Sequence, residues 1–347
     1  MADYYEPQTL RGVIKKTLPV RQFFKSRFFN NAVTFPTESV KFEFQGDTRR
    51  LAPYLNSRMP VNAMSRDGYK VVTFTPPLVG AKSVITDDTL AQKLLGEMPY
   101  NSGVSPEDRA AKIAAEDLSK LQNAIWRREE YMCARVKQDG KLIIKGEGVN
   151  DVVDYNFTNI FRPESTERWT SSFDILGYLG EKAKELQKNG VNPDMLILGS
   201  DAAKALLDNN KIYKMLDNRR VELGEIKPAQ LEHGVVYLGR LVTIGAAFDL
   251  YTYNEWFPDE NNDLKPIVDP ETVIMQSSTE SNSMLYGAIT IMSSSGQYET
   301  YMEEMTPQRW FEIDPPVQFL ALKSKPLPMP HDLNSWLVLK GVVTGAN

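Results

Sequence analysis

With 347 residues, the chain exceeds the ~250 to 300 at which a single hydrophobic core stops growing, so two folded parts with extensions are expected. Its 42% hydrophobic and 24% charged residues exclude disorder throughout, and a formal net charge of −5 argues against sequence-independent nucleic-acid binding, which needs a concentrated basic face. One cysteine, Cys133, excludes an internal disulfide framework; the opening MADYYEPQ lacks the order of a secretory signal, and no apolar run approaches the ~20 residues of a membrane span, so an intracellular product is expected.

Charge is uneven along the chain. From Met1 to Arg27 six basic residues (Arg11, Lys15, Lys16, Arg21, Lys25 and Arg27) face two acids (Asp3 and Glu6), which reads either as a solvated arm or as one lying on an acidic neighbour. Leu18 to Phe29 combines helical spacing with phenylalanines that an isolated arm cannot leave exposed. A neighbouring subunit is the expected cover for Phe28 and Phe29, so Phe28→Ala or Phe29→Ala is expected to impair assembly more than monomer folding. From Thr37 to Asp87 the alternation in VKFEF, the turn-rich middle and the extended KVVTFTPPLVGAKSVIT describe a long two-stranded excursion. Such a hairpin is marginal alone and is expected to pack on another chain.

Between Ser105 and Val136 an uninterrupted amphipathic helix is predicted. Ser105 is a suitable cap, Pro106 suits the first helical position, and Glu107 and Asp108 put negative charge in the first turn. Ala111, Ala114, Leu118, Leu121, Ile125, Met132 and Val136 recur at three- and four-residue steps, with Glu116 placed to pair with Lys120. At ~1.5 Å per residue this element is on the order of 45 Å long, a beam rather than a packing helix of a small domain. Arg127, Arg128, Glu129 and Glu130 read as its exposed face. KLIIKG and VVDYNF follow as a hairpin around Glu147 to Asn150, then a helix from Ser171 to Lys188 stopping at Asn189-Gly190, the buried strand MLILG, and a helix capped by Ser200. VVYLGRLVTIGAAFDLYTYNEWF, ETVIMQSS and the Pro-interrupted terminal stretch read as paired strands, giving an α+β fold.

No recognisable catalytic motif emerges. His233 and His331 lie in predicted loops as isolated residues, and Gly199-Ser200 lacks the rest of a nucleophile elbow. Asp259, Asn261 and Asp263 have the spacing of a calcium loop, but Leu264 stands where glycine is needed and Pro270 where the last carboxylate belongs. Gly146 and Gly148 lack the third glycine and the helix of a phosphate cradle, and Cys133, without a neighbouring histidine, reads as an inert buried thiol. No catalytic residue, cofactor or metal is expected.

The order of parts carries more information than any motif. RFFNNAVTFPTESVKF (27–42), FTPPLVGAKSVI (74–85), LDNRR (216–220), VIMQSSTESNSMLYGAI (273–289) and SKPLPMPHDLNSWLVL (324–339) follow one another at the spacing seen in tailed-bacteriophage major capsid proteins, and the chain resembles the lambda-type E family of head proteins over nearly its whole length. The resemblance implies a tailed-phage capsid fold. Residues 1–38 become an N-terminal arm, 39–86 an extended β loop lying over an adjacent subunit, and 87–169 a peripheral domain with the spine helix at 105–136. Residues 170–300 become an axial domain and 301–347 the return strands of the peripheral domain. It also implies hexamers and pentamers of an icosahedral shell enclosing double-stranded DNA without sequence-specific binding. Its partners would be many copies of itself with scaffold, portal and decoration proteins, assembled in host cytoplasm into a virion. Expected assembly contacts are Phe28, Phe29, Arg66, Tyr69, Arg219 and Arg220. A Lys–Asn crosslink between Lys70 and Asn334 is not expected, because such chemistry needs a buried carboxylate beside the pair. The alternatives are an encapsulin-like nanocompartment shell and, from another class, an intracellular hydrolase using Ser200 or Glu303-Glu304.

Overall fold

The computed structural model describes residues 20, 22–37, 39–45, 69–86, 106–146, 148–212, 224–230, 234–258, 263–292, 296–314 and 317–343. Helix α1 spans Phe23–Phe28, α2 Pro106–Asp139, α3 Ile175–Lys188 and α4 Ser200–Leu207. The beam is thus α2, 34 residues long. It runs past Val136 because Gly140, at φ +61°, supplies the left-handed stop, donating its N–H to the Val136 carbonyl at 2.9 Å. A Cβ there would sit 2.1 Å from Phe157 Cβ, so the stop also needs the missing side chain.

The apolar stripe of α2 serves two cores in succession. Ala114, Leu118, Leu121 and Ile125 pack with Ile85, Leu320 and Leu322 of a three-stranded sheet ordered 306–312, 317–324, 79–86, and with Met305 just before its first strand. Ala111 is exposed, so the stripe is buried only from Ala114 onward. Lys120 pairs with Asp117 at 3.1 Å rather than with Glu116; Asp117 also accepts Ser83 Oγ at 2.5 Å, which fixes its carboxylate. Met132, Cys133, Ala134 and Val136 then enter the larger core beside Phe24, Phe28, Tyr253 and Trp336.

That larger core lies on one face of a seven-stranded sheet ordered 160–161, 336–340, 272–276, 195–198, 246–253, 235–243, 224–230. Its central strands are covered on both faces, which is why MLIL, TVIMQ and WLVLK read as nearly continuous apolar runs. The two-residue period still sorts them: Ile197, Ile274 and Val338 face α2, whereas Leu196, Leu198, Val273, Met275, Leu337 and Leu339 face the core containing α3 and α4. Strand 336–340 pairs antiparallel with 272–276, so this sheet runs across the division expected at residue 300.

Local departures from the expected elements have local causes. Helix α3 begins at Ile175, not Ser171, because Asn209 Nδ2 donates to the carbonyls of Thr170 and Phe173 at 3.0 and 2.9 Å and holds that segment out of the helix. It ends as expected at Asn189-Gly190, with Gly190 at φ +92°. Ser200 is not the cap of α4. Gly199 is, and the Pro270 carbonyl accepts the free N–H groups of Asp201 and Ala202 at 3.0 and 3.1 Å. A Cβ at Gly199 would lie 2.2 Å from the Asp269 carbonyl oxygen, so only glycine allows that approach. In the hairpin after α2, Gly148 at φ +78° tightens the turn, so the second strand is Val149–Asp154 and stops short of Tyr155.

The excursion is paired at its base, Val40–Gln45 against Tyr69–Phe74, with Val40 opposite Phe74 and Gln45 opposite Tyr69. Residues 46–68, and with them Arg66, lie outside the described residues, as do Ser105, Arg219, Arg220, His233, Asp259 and Asn261. Strand 31–35 runs parallel to 283–287, which pairs in turn with 326–329. Among the described residues no helix is long and apolar enough to cross a membrane, and no group of three His, Cys, Asp or Glu residues could hold a metal ion.

Candidate functional site

The described arm and the spine meet in one buried junction. A six-residue helix is far below the ~12 to 15 residues at which isolated helices become marginal, so α1 depends on outside partners. It has them. Its Gln22 cap makes no side-chain hydrogen bond to the helix start; instead Phe24 and Lys25 donate their backbone N–H groups to the two carboxylate oxygens of Glu130 on α2, at 2.8 and 3.0 Å. Lys25 Nζ donates to Glu129 Oε2 at 2.7 Å. The spine therefore caps the arm. Two positions expected on the exposed face of α2, Glu129 and Glu130, are buried, while Arg127 and Arg128 are exposed as expected.

The same junction corrects the reading of the arm aromatics. Phe28 and Phe29 are 0% and 1% exposed within this one chain. Phe23 meets Phe24 and Phe28 edge-on at 5.3 and 5.7 Å, and Phe24 meets Tyr253 at 5.8 Å. Strand 31–35 then ties the arm to 283–287. No neighbouring subunit is needed as the cover. Of the other expected contacts, Tyr69 begins the returning strand of the excursion.

Next to Phe28 and Phe29, Lys137 of α2 is fully buried and paired with Glu280. Its ammonium lies 4.1 Å from the Trp336 ring centroid, 5.5 Å from that of Phe28 and 6.0 Å from that of Phe29. Trp336 Nε1 donates to the Lys137 carbonyl at 3.0 Å. Burial shapes every titration here. It pushes Glu130 up to about 7, against the two backbone hydrogen bonds that favour its anion. Burial lowers Lys137 despite Glu280, whereas for Lys25 the attraction of Glu129 outweighs burial and raises it. Cys133, buried as expected, has its thiol pushed well up by burial, which fits an inert residue.

The motifs tested for chemistry find structural uses. His331 is not isolated: its Nε2 lies 2.8 Å from Ser283 Oγ. That hydroxyl also accepts Asn31 Nδ2 at 3.0 Å and sits on a buried strand, so the pair tethers the arm strand. Ser200 Oγ bonds the neighbouring Asp201 Oδ1 at 3.3 Å on an exposed helix start, and Ser324 Oγ donates to the Glu304 carbonyl at 2.6 Å. Glu129 could have been found in the sequence, since it falls four after Ile125 and three before Met132, on the apolar stripe itself.

Exposed apolar side chains lie elsewhere and are spread over the surface, among them Ile244 at 87% and Leu264 at 68% exposed. Phe311 and Ile313 are 66% and 91% exposed at the end of the 306–312 strand, and Tyr298 is exposed on the 289–301 hairpin. A groove of ≈ 350 Å³ between α2, residues 77–80 and the 141–154 hairpin is lined by Leu78, Arg128, Tyr131, Leu142, Ile143 and Val149.

The comparisons with known proteins agree with that architecture. The protein assigned as the capsid protein of an Escherichia coli CFT073 prophage superposes with a TM-score of 0.67 at 18% identity, over 96% of this chain and 97% of that one. A phage-related protein from Bordetella bronchiseptica RB50 gives 0.54 at 10% identity, over 96% and 97%. No curated protein is a significant sequence match. The fold is that of tailed-phage capsid proteins, an α+β arrangement of arm, spine helix and three hydrophobic cores. The family model for phage major capsid protein E matches residues 6–340, and with that span nearly the whole chain belongs to the phage major capsid protein E family, whose members build capsid shells.

Proposed function

We propose that copies of this chain assemble through hexamers and pentamers into an icosahedral shell that encloses double-stranded DNA in a virion. Scaffold, portal and decoration proteins take part, and assembly takes place in the host cytoplasm. The observation that carries the reading is the family match over residues 6–340. Residues 1–38 serve as the arm and 39–86 as the extended loop over a neighbour, except that its last strand, 79–86, joins the peripheral sheet; 87–169 serve as the peripheral domain and 170–300 as the axial domain. Residues 301–347 divide, with 306–324 joining the peripheral sheet and 336–340 the large one. The role is structural, without turnover of an external substrate.

The formal net charge of −5 suits a container wall, because a strongly basic lumen would hold packaged DNA and hinder its loading and exit. The test is negative-stain microscopy of the expressed chain, alone and with a scaffold. Shells, hexamers or tubes are expected. A discrete monomer or dimer with hydrolase activity would overturn the reading, and shells that load a cellular enzyme instead of DNA would favour the nanocompartment alternative. Steep salt-dependent binding of duplex DNA by the purified chain would refute the account of the lumen.

A further inference from the structure

The buried Lys137 has a second neighbour that the assembly reading does not use. Glu280 Oε1 receives both Lys137 Nζ and Asn282 Nδ2, the latter at 3.0 Å, so one carboxylate oxygen stands between a lysine amine and an asparagine amide. Lys137 is 0% and Asn282 1% exposed, and the Glu280 side chain is 7% exposed. Glu280 Oε2 is buried without a hydrogen-bond partner. The amide oxygen is also engaged: Asn282 Oδ1 accepts the backbone N–H of His331 at 2.9 Å. Trp336, Phe28 and Phe29 close the site on the lysine side.

We propose that Lys137, Glu280 and Asn282 form an internal isopeptide site, in which the Lys137 amine displaces ammonia from the Asn282 side chain and joins the spine helix to the 283–287 strand. Each group has a part in a balanced reaction. Glu280 takes a proton from the Lys137 ammonium, leaving the Nζ lone pair free. Nζ attacks Asn282 Cγ, a C–N bond forms, and the carbonyl π pair moves onto Oδ1. There the developing charge meets the His331 N–H, as in an oxyanion hole. Glu280 passes its proton to Nδ2 and takes one from Nζ. The Cγ–Nδ2 bond then breaks, the carbonyl re-forms and ammonia leaves. No bond is oxidised or reduced, and no co-reactant is needed. Burial favours the neutral amine that the attack requires and lowers Lys137, against the attraction of Glu280 and of the ring faces for the ammonium. The unpartnered Glu280 oxygen is then explained as a second seat for the travelling proton.

This site differs from a shell crosslink between Lys70 and Asn334, because all three groups belong to one chain and lie far from Lys70 in sequence. The carboxylate that such chemistry demands is present here, beside a different pair. A buried ion pair with a hydrogen-bonded amide would use the same residues without reacting, and mass separates the two.

The experiment is intact and peptide mass spectrometry of the full-length chain, purified without denaturation and held at neutral pH. The expected result is a mass below the sequence mass by one ammonia, with a branched peptide joining Lys137 to Asn282. On a denaturing gel the linked chain should still run as one monomer, and faster than the unlinked form. Lys137→Arg keeps the charge and Glu280→Gln keeps the shape; both should restore the full sequence mass. Asn282→Asp should either stay unlinked or lose one water instead of ammonia. Recovery from the unaltered chain of separate, unmodified peptides carrying Lys137 and Asn282 would overturn the proposal, and that result needs no variant to fold. A mass deficit that maps to other residues would overturn it equally.

Discussion

Two aromatic regions of this molecule make opposite use of the same side chains. In the arm, Phe23, Phe24, Phe28 and Phe29 look in sequence like rings awaiting a neighbour, yet the spine, Tyr253 and Trp336 bury them within the chain. At the periphery, Phe311 stands out from a strand whose sequence, TPQRWFE, carries no such expectation, and Ile313 stands out just past its end. What separates them is the partner reached by the fold: a capped and ion-paired helix in the first case, an edge strand of a three-stranded sheet in the second. Apolar content alone therefore does not distinguish a folding contact from an assembly contact; cover does.

Phe28→Ala should destabilise the unassembled chain by about 3 to 5 kcal/mol, the range for truncating a buried phenylalanine, read as a lowered denaturant midpoint. Unchanged midpoint with failed assembly would return the arm to the role first expected of it. Glu130→Ala should cost somewhat less, roughly 2 to 3 kcal/mol, because it strands one buried and one half-buried N–H donor at the start of α1. Hydrogen exchange at Phe24 and Lys25 should rise with it.

Acidity sharpens the same contrast. Burial holds the Glu130 carboxyl at about 7, above its ordinary 4.5, so the folded chain keeps a proton that the unfolded chain gives up. This contribution to arm docking is full below pH 4.5 and is lost as pH rises through about 7. Tyr253 and Cys133 face the same carboxyl; burial raises both and keeps them neutral across that window. Exchange at Phe24 and Lys25, corrected for intrinsic rate, should quicken across it, and Glu130→Gln should flatten the dependence. The smallest effect on folding belongs to the rim. Ile313→Ser should move stability by no more than about 0.5 kcal/mol. It should still lower the yield of sedimenting shells, and normal shells would remove the rim from the assembly surface.

Legibility in the sequence followed the range of the interactions. The beam was readable because Ala114, Leu118, Leu121 and Ile125 repeat within a few residues of one another. Its end was missed by three residues because the stop lies in Gly140, beyond the stripe. RREE read as a solvated face because four charges in a row usually are one, and the groups that bury the last two are contributed by residues about a hundred positions earlier. The start of α4 shows the same limit at shorter range, since Pro270 rather than Ser200 satisfies it. The Lys137, Glu280 and Asn282 constellation had no local signature at all, with 143 residues separating its lysine from its carboxylate.

The parallel pairing of strand 31–35 with 283–287 has a consequence in time. Asn31 and Ser283, hydrogen-bonded side chain to side chain, are 252 residues apart. At a synthesis rate of about 5 to 20 residues per second, the arm strand leaves the ribosome roughly 10 to 50 seconds before the strand it must join. Until then α1 has the spine but not its full enclosure, and its phenylalanines are open to the other nascent chains of a polysome. A protein made in the many copies a shell requires thus leaves these rings partly uncovered during translation, and the rate of elongation sets how long they stay so.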